Sequence, residues 1–337
     1  MSRLGRDPAS WLLAGAARLL PPARGEWGRA MRAELAGIES DQARWRFALG
    51  CIRVVASQPA VLPGIGYPLL MAGVLVAVVT WTDTVAYAPL RWALVALVSI
   101  LVAIAWLGRR AGMLGPVGKG WAARLVRAGG YLLVGVTTLG VVVFMESASN
   151  PSEKAGNGVP ILAVVLTSYL LGFLTVTAHR SAATGRVLTT GAGLGVAAAA
   201  VWLVAVLAAP PIPPSVAAAL ALIAAAITAA AFANAGRRGS TDYSLLAALC
   251  AGTVAALLIV ILVAVLANYG PPSLIPDLAP AALTPAADLA QSRIEIEDPY
   301  VAVLFLGCLL AAILSITTIV TRAQTSTRLD QPATTPR

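Results

Sequence analysis

Charge is what this sequence has least of. Asp, Glu, Lys and Arg make up 12% of its 337 residues, against about a quarter in a soluble domain. Histidine occurs once, at His179, and cysteine three times, at Cys51, Cys250 and Cys308. So few and so scattered, these residues offer neither a metal-ligand set nor a disulfide framework. H-E-x-x-H, G-x-S-x-G and Walker patterns are missing, as are paired aspartates inside the apolar stretches, so the zincin, serine-hydrolase, P-loop and aspartyl intramembrane protease chemistries have no carrier. The expectation is a non-enzymatic protein without cofactor or metal.

What the chain has instead is long apolar runs. Hydrophobic residues account for 58% of it and the mean hydropathy is +0.82. Eight stretches, at about 63–81, 90–107, 128–145, 159–178, 187–208, 214–233, 243–267 and 299–321, each approach the roughly 17–25 residues that an α-helix needs to cross a bilayer. The predicted fold is therefore an all-α, polytopic transmembrane helical bundle of about eight spans. Its expected divisions are an arm over 1–60, the bundle over 61–321 and a disordered tail over 322–337.

The basic residues orient it. With the N-terminus inside, 21 of the 24 Lys and Arg fall in cytoplasmic segments, leaving Arg91, Lys154 and Arg293 outside. The positive-inside rule requires that asymmetry, and it places both termini in the cytoplasm and the protein in the plasma (inner) membrane. The net charge of +9 is then explained by orientation and attraction to anionic inner-leaflet lipids, with no call for nucleic acid. The short apolar run Trp11–Leu20 ends in Pro21–Pro22 with Arg24, Glu26 and Arg29 beyond, which does not suit a cleavable signal peptide.

The arm reads as three helices. Asp7 before Pro8 starts one that runs to Leu20; a second covers about Ala23–Ile38; Ser40 or Asp41 caps a third reaching about Ser57, and Pro59 and Pro63 break the chain before the membrane. Trp27, Met31, Leu35 and Ile38 share one face of the second helix, with Arg24, Arg29 and Arg32 around it. Trp45, Leu49, Ile52 and Ala56 share a face of the third, which also carries Arg44 and Arg46. Arg-rich amphipathic helices bearing tryptophan suit either the headgroup layer of the inner leaflet or a cytoplasmic protein partner. Trp27, Met31, Leu35, Trp45, Arg24, Arg29, Arg32, Arg44 and Arg46 are the candidate contacts.

Leu20-Pro21-Pro22, the run Glu26-Trp27-Gly28-Arg29-Ala30-Met31-Arg32-Ala33-Glu34-Leu35 and the later Ala43-Arg44-Trp45-Arg46-Phe47-Ala48-Leu49-Gly50-Cys51 resemble the juxtamembrane segment of uncharacterised actinobacterial multi-pass membrane proteins. The resemblance covers about residues 19–53. It is similar in character to the short cytoplasmic helical domains that precede the spans of some bacterial permeases and membrane-bound regulators. It implies an accessory or regulatory membrane protein and carries no catalytic residue. The preference for arginine over lysine and the abundance of alanine fit a high-GC bacterial genome.

Within the spans, Asp, Glu, Lys and Arg avoid mid-bilayer positions, where each would cost at least about 2.5–3.5 kcal/mol. That argues against an acid-based proton or sodium pump. Ser168, Gly172, Thr175 and His179 fall at i, i+4, i+7 and i+11 of the fourth span, on one face. They are candidates either for a solute path, with His179 as a pH-sensitive gate, or for close helix packing. Gly191 and Gly195 form a G-x-x-x-G in the fifth span, with the alanine-rich sixth span as the expected partner across the Pro210–Pro214 connection. The outer loop at about 268–298 carries five carboxylates without EF-hand spacing and reads as a solvated acidic loop, with one or two amphipathic turns over Pro285–Ser292. Residues 146–159 read as plain linker.

Two functions follow. The first is an accessory or regulatory integral membrane protein whose arm docks a cytoplasmic partner or the inner leaflet. The alternative is a permease, or the membrane subunit of a transporter, for an apolar or zwitterionic solute or lipid.

Overall fold

The computed structural model describes residues 7–18, 20, 24–58, 62–109, 116–146, 152, 154–179, 181, 183–208, 213–235, 241–272, 275, 284–295 and 298–329. Among these the chain is helical, with a single β-bridge between Val117 and Ala178. It divides into two units, up to Trp81 and from Thr82 onward.

The first unit opens with α1 (Pro8–Ala17), α2 (Gly25–Gly37) and α3 (Asp41–Ala56). The Asp7 carboxylate accepts from Ala9 N–H at 3.0 Å and Pro8 occupies the first turn, so α1 begins where the sequence predicts. It ends at Ala17, short of Leu20, and Ser40 at the head of α3 makes no side-chain cap. The three helices close a core of Ala9, Leu13, Leu35 and Ala48, flanked by Met31, Ile38, Phe47 and Cys51. A second cluster, Ala16, Leu20 and Val55, continues it. Pro59 lies outside the described residues. Pro63, expected to break the chain, instead sits in the first turn of α4 (Leu62–Thr82), where its missing N–H removes no helical bond.

The second unit holds α5 (Ala88–Leu107), α6 (Trp121–Glu146), α7 (Val159–Thr177), α8 (Gly185–Leu207), α9 (Pro214–Ala235), α10 (Thr241–Tyr269), α11 (Pro285–Glu295) and α12 (Asp298–Leu329). Seven of these, all but α11, are long and apolar enough to cross a membrane. They also leave large apolar side chains bare, among them Leu132, Val164, Val201, Ile227 and Ile316, which a chain dissolved in water does not tolerate in such number. This is a multi-pass membrane protein.

In α7 and α10 61% of the spanning residues are buried, against 22–39% in the other five, so these two form the centre. Around α7 pack α5, α6 and α12; around α10 pack α8, α9, α12 and α6. The α5 seam is Leu90, Leu94, Leu97 and Leu101, all buried, at the alternating four- and three-residue spacing of one helix face.

Elsewhere glycine sets the approach. A Cβ on Gly130 would run into the Phe173 ring, and one on Gly307 into the Tyr169 hydroxyl. Gly191 and Gly195 press on α10, not on α9 as their sequence neighbourhood suggests. Their Cβ positions would lie 2.9 Å from the Ala247 carbonyl and 2.7 Å from that of Ala251. Close backbone approach is what small residues provide between helices in lipid, and α9 meets α8 through Trp202 instead, whose indole N–H donates to Pro214 O at 2.9 Å.

Three segments carry more helix than the sequence suggests. The supposed linker ends in a π-helical turn, Lys154–Gly158, leading into α7. The acidic loop contains α11, whose Arg293 donates to the carbonyls of Ala267 and Gly270 and so caps the end of α10. The tail expected from residue 322 continues α12 to Leu329, and residues 330–337 lie outside the described set.

Candidate functional site

Folding of α1–α3 divides the arm's candidate contacts into two groups. Leu35 is 1% exposed, and Met31 packs beside it in the same core. The Arg44 guanidinium pairs with Asp7 at the head of α1 and donates to the Leu35 and Ile38 carbonyls at 3.0 and 2.9 Å, closing the end of α2. Its hydrogen bond, more than any other influence, holds the Asp7 carboxyl below the usual carboxylate range. Burial, reinforced by Glu34, pushes the Cys51 thiol up, away from the thiolate that a nucleophile requires.

The second group stays outside. Trp27 is 47% exposed and Trp45 37%. Arg24 lies over the Trp27 ring at 5.8 Å and bonds Gln58, Arg29 makes an exposed pair with Glu26, Arg32 donates to Gly28 O, and Arg46 is exposed. The structure adds Trp11, 81% exposed, Leu12 and Leu49. Trp11 and Leu12 escape the sequence reading because α1 is apolar nearly all round, and only packing shows which of its residues point away from the core.

The polar stripe of α7 does not stay together. Ser168 donates to Val164 O and Thr175 to Leu171 O, each within its own helix. Gly172 is a contact point, its Cβ position 3.2 Å from Thr253 Cγ2 and close to Leu249 and Ala311. His179 lies past the end of α7, exposed, with its backbone N–H donating to Pro116 O at 2.7 Å. Of the stripe, Gly172 is the residue set against other helices, Thr175 is buried and Ser168 half-buried.

Arg127 was expected in a cytoplasmic loop and is instead a buried residue of α6, 3% exposed. Its Nε donates to Thr177 Oγ1 at 2.8 Å, Nη1 to Gly108 O at 3.0 Å and Nη2 to Leu174 O at 3.2 Å. One guanidinium thus closes the C-terminal ends of α5 and α7, where carbonyls lack intrahelical donors and the helix dipole is negative. A signal existed: Ala123, Arg127, Gly130 and Val134 share one buried face, and beginning the span at residue 128 hid it.

Above Arg127 a cleft of about 220 Å³ opens among the 118–120 segment, the end of α7 and the start of α8, with Lys119, His179 and Ser181 in its wall. The Val117–Ala178 bridge builds it, through Gly118 N–H to Thr177 O at 3.1 Å and the His179–Pro116 bond. Among the described residues no group of His, Cys, Asp and Glu could hold a metal ion.

No protein-family model matches the chain, and neither the curated proteins nor the solved structures contain a match.

Proposed function

We propose that the protein is a non-enzymatic accessory or regulatory component of the plasma (inner) membrane, whose α1–α3 module docks a cytoplasmic partner or the inner leaflet. One observation carries this reading. The module satisfies its own core and still leaves Trp11, Leu12, Trp27, Trp45 and Leu49 outside, beside exposed arginines. Exposed tryptophan with arginine is the composition of a surface that meets headgroups or another protein. In the same reading α4, 21 residues long and so about 31 Å, is an eighth span, and the arginine asymmetry puts both termini inside. The alternative is a permease, or the membrane subunit of a transporter, for an apolar or zwitterionic solute or lipid; Gly172 of the α7 stripe, set against α10 and α12, gives it less support than the exposed tryptophans give docking.

The test is a photo-reactive residue at position 11 or 45 of the full chain, activated in native membranes. A single discrete protein adduct identifies a partner; lipid adducts identify the leaflet. Neither kind of adduct, in a chain that inserts normally, would sink the docking reading.

A further inference from the structure

We propose that the cleft beside Lys119 and His179 binds a phosphate group, either the headgroup of an anionic lipid or a soluble phosphate. The lining supplies the right chemistry. Lys119 and His179, both exposed, and Ser181 line it together with Gly118, Gly120 and Gly185. Nothing lies within 4 Å of a Cβ built on Gly120, so an anion can reach the main chain there. The volume, about 220 Å³, exceeds what a few waters need.

The two segments that meet there are basic. Among the described residues of 108–127 and 178–190, which the bridge joins, stand Arg109, Lys119, Arg124, Arg127 and Arg186 and no carboxylate. Arg127 is committed to helix ends beneath the cleft. Gly191 and Gly195 of α8 face Ala247 and Ala251 of α10. That parallel register brings Asp242, in the first turn of α10, to the level of Arg186. A concave, glycine-lined surface with this excess suits an anion with several oxygens. Trp121 and Leu125, 68% and 61% exposed, lie in the first two turns of α6, directly after the 118–120 segment, and give an acyl chain a surface to lie along, which favours the lipid source.

The experiment uses the full chain in mild detergent and native mass spectrometry, titrated with phosphatidylglycerol or phosphatidylcholine. Thermal unfolding in phosphate against chloride at equal ionic strength runs in parallel. Preferential retention of phosphatidylglycerol is expected, weakened about fivefold by Lys119→Gln, the worth of one basic side chain at an anionic surface. Adding His179→Gln weakens it further, and Lys119→Arg restores most of it. Arg91→Gln, a cation at the opposite end of the bundle, leaves it unchanged. Stabilisation by phosphate that depends on Lys119, without preference between the two lipids, supports the site and assigns it to a soluble phosphate. Binding of both lipids and of phosphate that is indifferent to Lys119 and His179 overturns the proposal. The inference does not depend on what α1–α3 docks, so the two readings fail separately.

Discussion

Arg44 in the N-terminal module and Arg127 in the bundle do the same structural job in different surroundings. Each reaches from one helix to close the carbonyl end of another: Arg44 the end of α2, Arg127 the ends of α5 and α7. Arg44 is also held by a carboxylate, Asp7, at a partly solvated position. Arg127 is buried and shows carbonyl and hydroxyl partners. Where water reaches, a full counter-charge can be held and remains titratable. Deeper in the bundle, oriented helix-end dipoles help to hold the cation. The same contrast runs through the cores, leucine at the heart of the module and glycine at the backbone contacts of the bundle. In water apolar burial drives association; in lipid it does not, and closeness of approach takes over.

The largest effect that would break this comparison is at Arg127. Arg127→Gln strands carbonyls of two helix ends and should cost about 3 kcal/mol, read as destabilised unfolding of the full chain in detergent. Arg127→Lys should recover less than half, since an ammonium cannot span three acceptors as a planar fork does. A full rescue by lysine would show that charge alone matters there. Next comes Gly195→Ala, whose methyl meets the Ala251 carbonyl and should cost about 1–3 kcal/mol. Gly193→Ala, with nothing within 4 Å, should be neutral or slightly stabilising, and equal effects at both positions would remove the close-approach argument.

Arg44→Gln should cost about 1–2 kcal/mol, with the loss confined to amide protection in α1–α3. If hydrogen exchange in the bundle rises equally, the two units are not independently held. The Asp7 pairing adds a pH signature. A carboxyl whose folded pKa is lowered stabilises fully above its unfolded value, near 3.9, and loses that contribution as pH falls through the lowered value. Protection of α1 should therefore weaken below about pH 4 in the native chain, and Asp7→Asn should abolish that acid dependence while lowering protection at neutral pH. The smallest stability effect belongs to Trp45→Ala, within about 0.5 kcal/mol for an exposed side chain, together with loss of docking contacts in membranes. A large destabilisation would move Trp45 from surface to core.

Much of the fold was readable because a bilayer leaves few options. Apolar runs of about twenty residues between arginine clusters can only be helices, and their ends came within a few residues except where the apolar pattern was interrupted by a charge. Arg127 is the instructive case. A single cation on a buried face looks like the end of a span until the carbonyls it serves are in place. The candidate site was read less well for the same reason. Amphipathic spacing selected Trp27, Met31, Leu35 and Trp45 as one class, because a helix wheel reports an apolar face without saying whether that face meets its own neighbours or something else.

The sequence by itself determined the helical class, the apolar spans, the arginine asymmetry and the start of α1 at Asp7–Pro8, since each depends on local composition or on a residue's own backbone chemistry. Only the tertiary structure decided that Leu35 and Met31 are core while Trp11 is surface, that Gly191 and Gly195 serve α10, and that the 116–120 segment meets the end of α7 to form a basic cleft. Those outcomes depend on which residues distant in the chain come within a few ångströms, and helical periodicity carries no information about the partner.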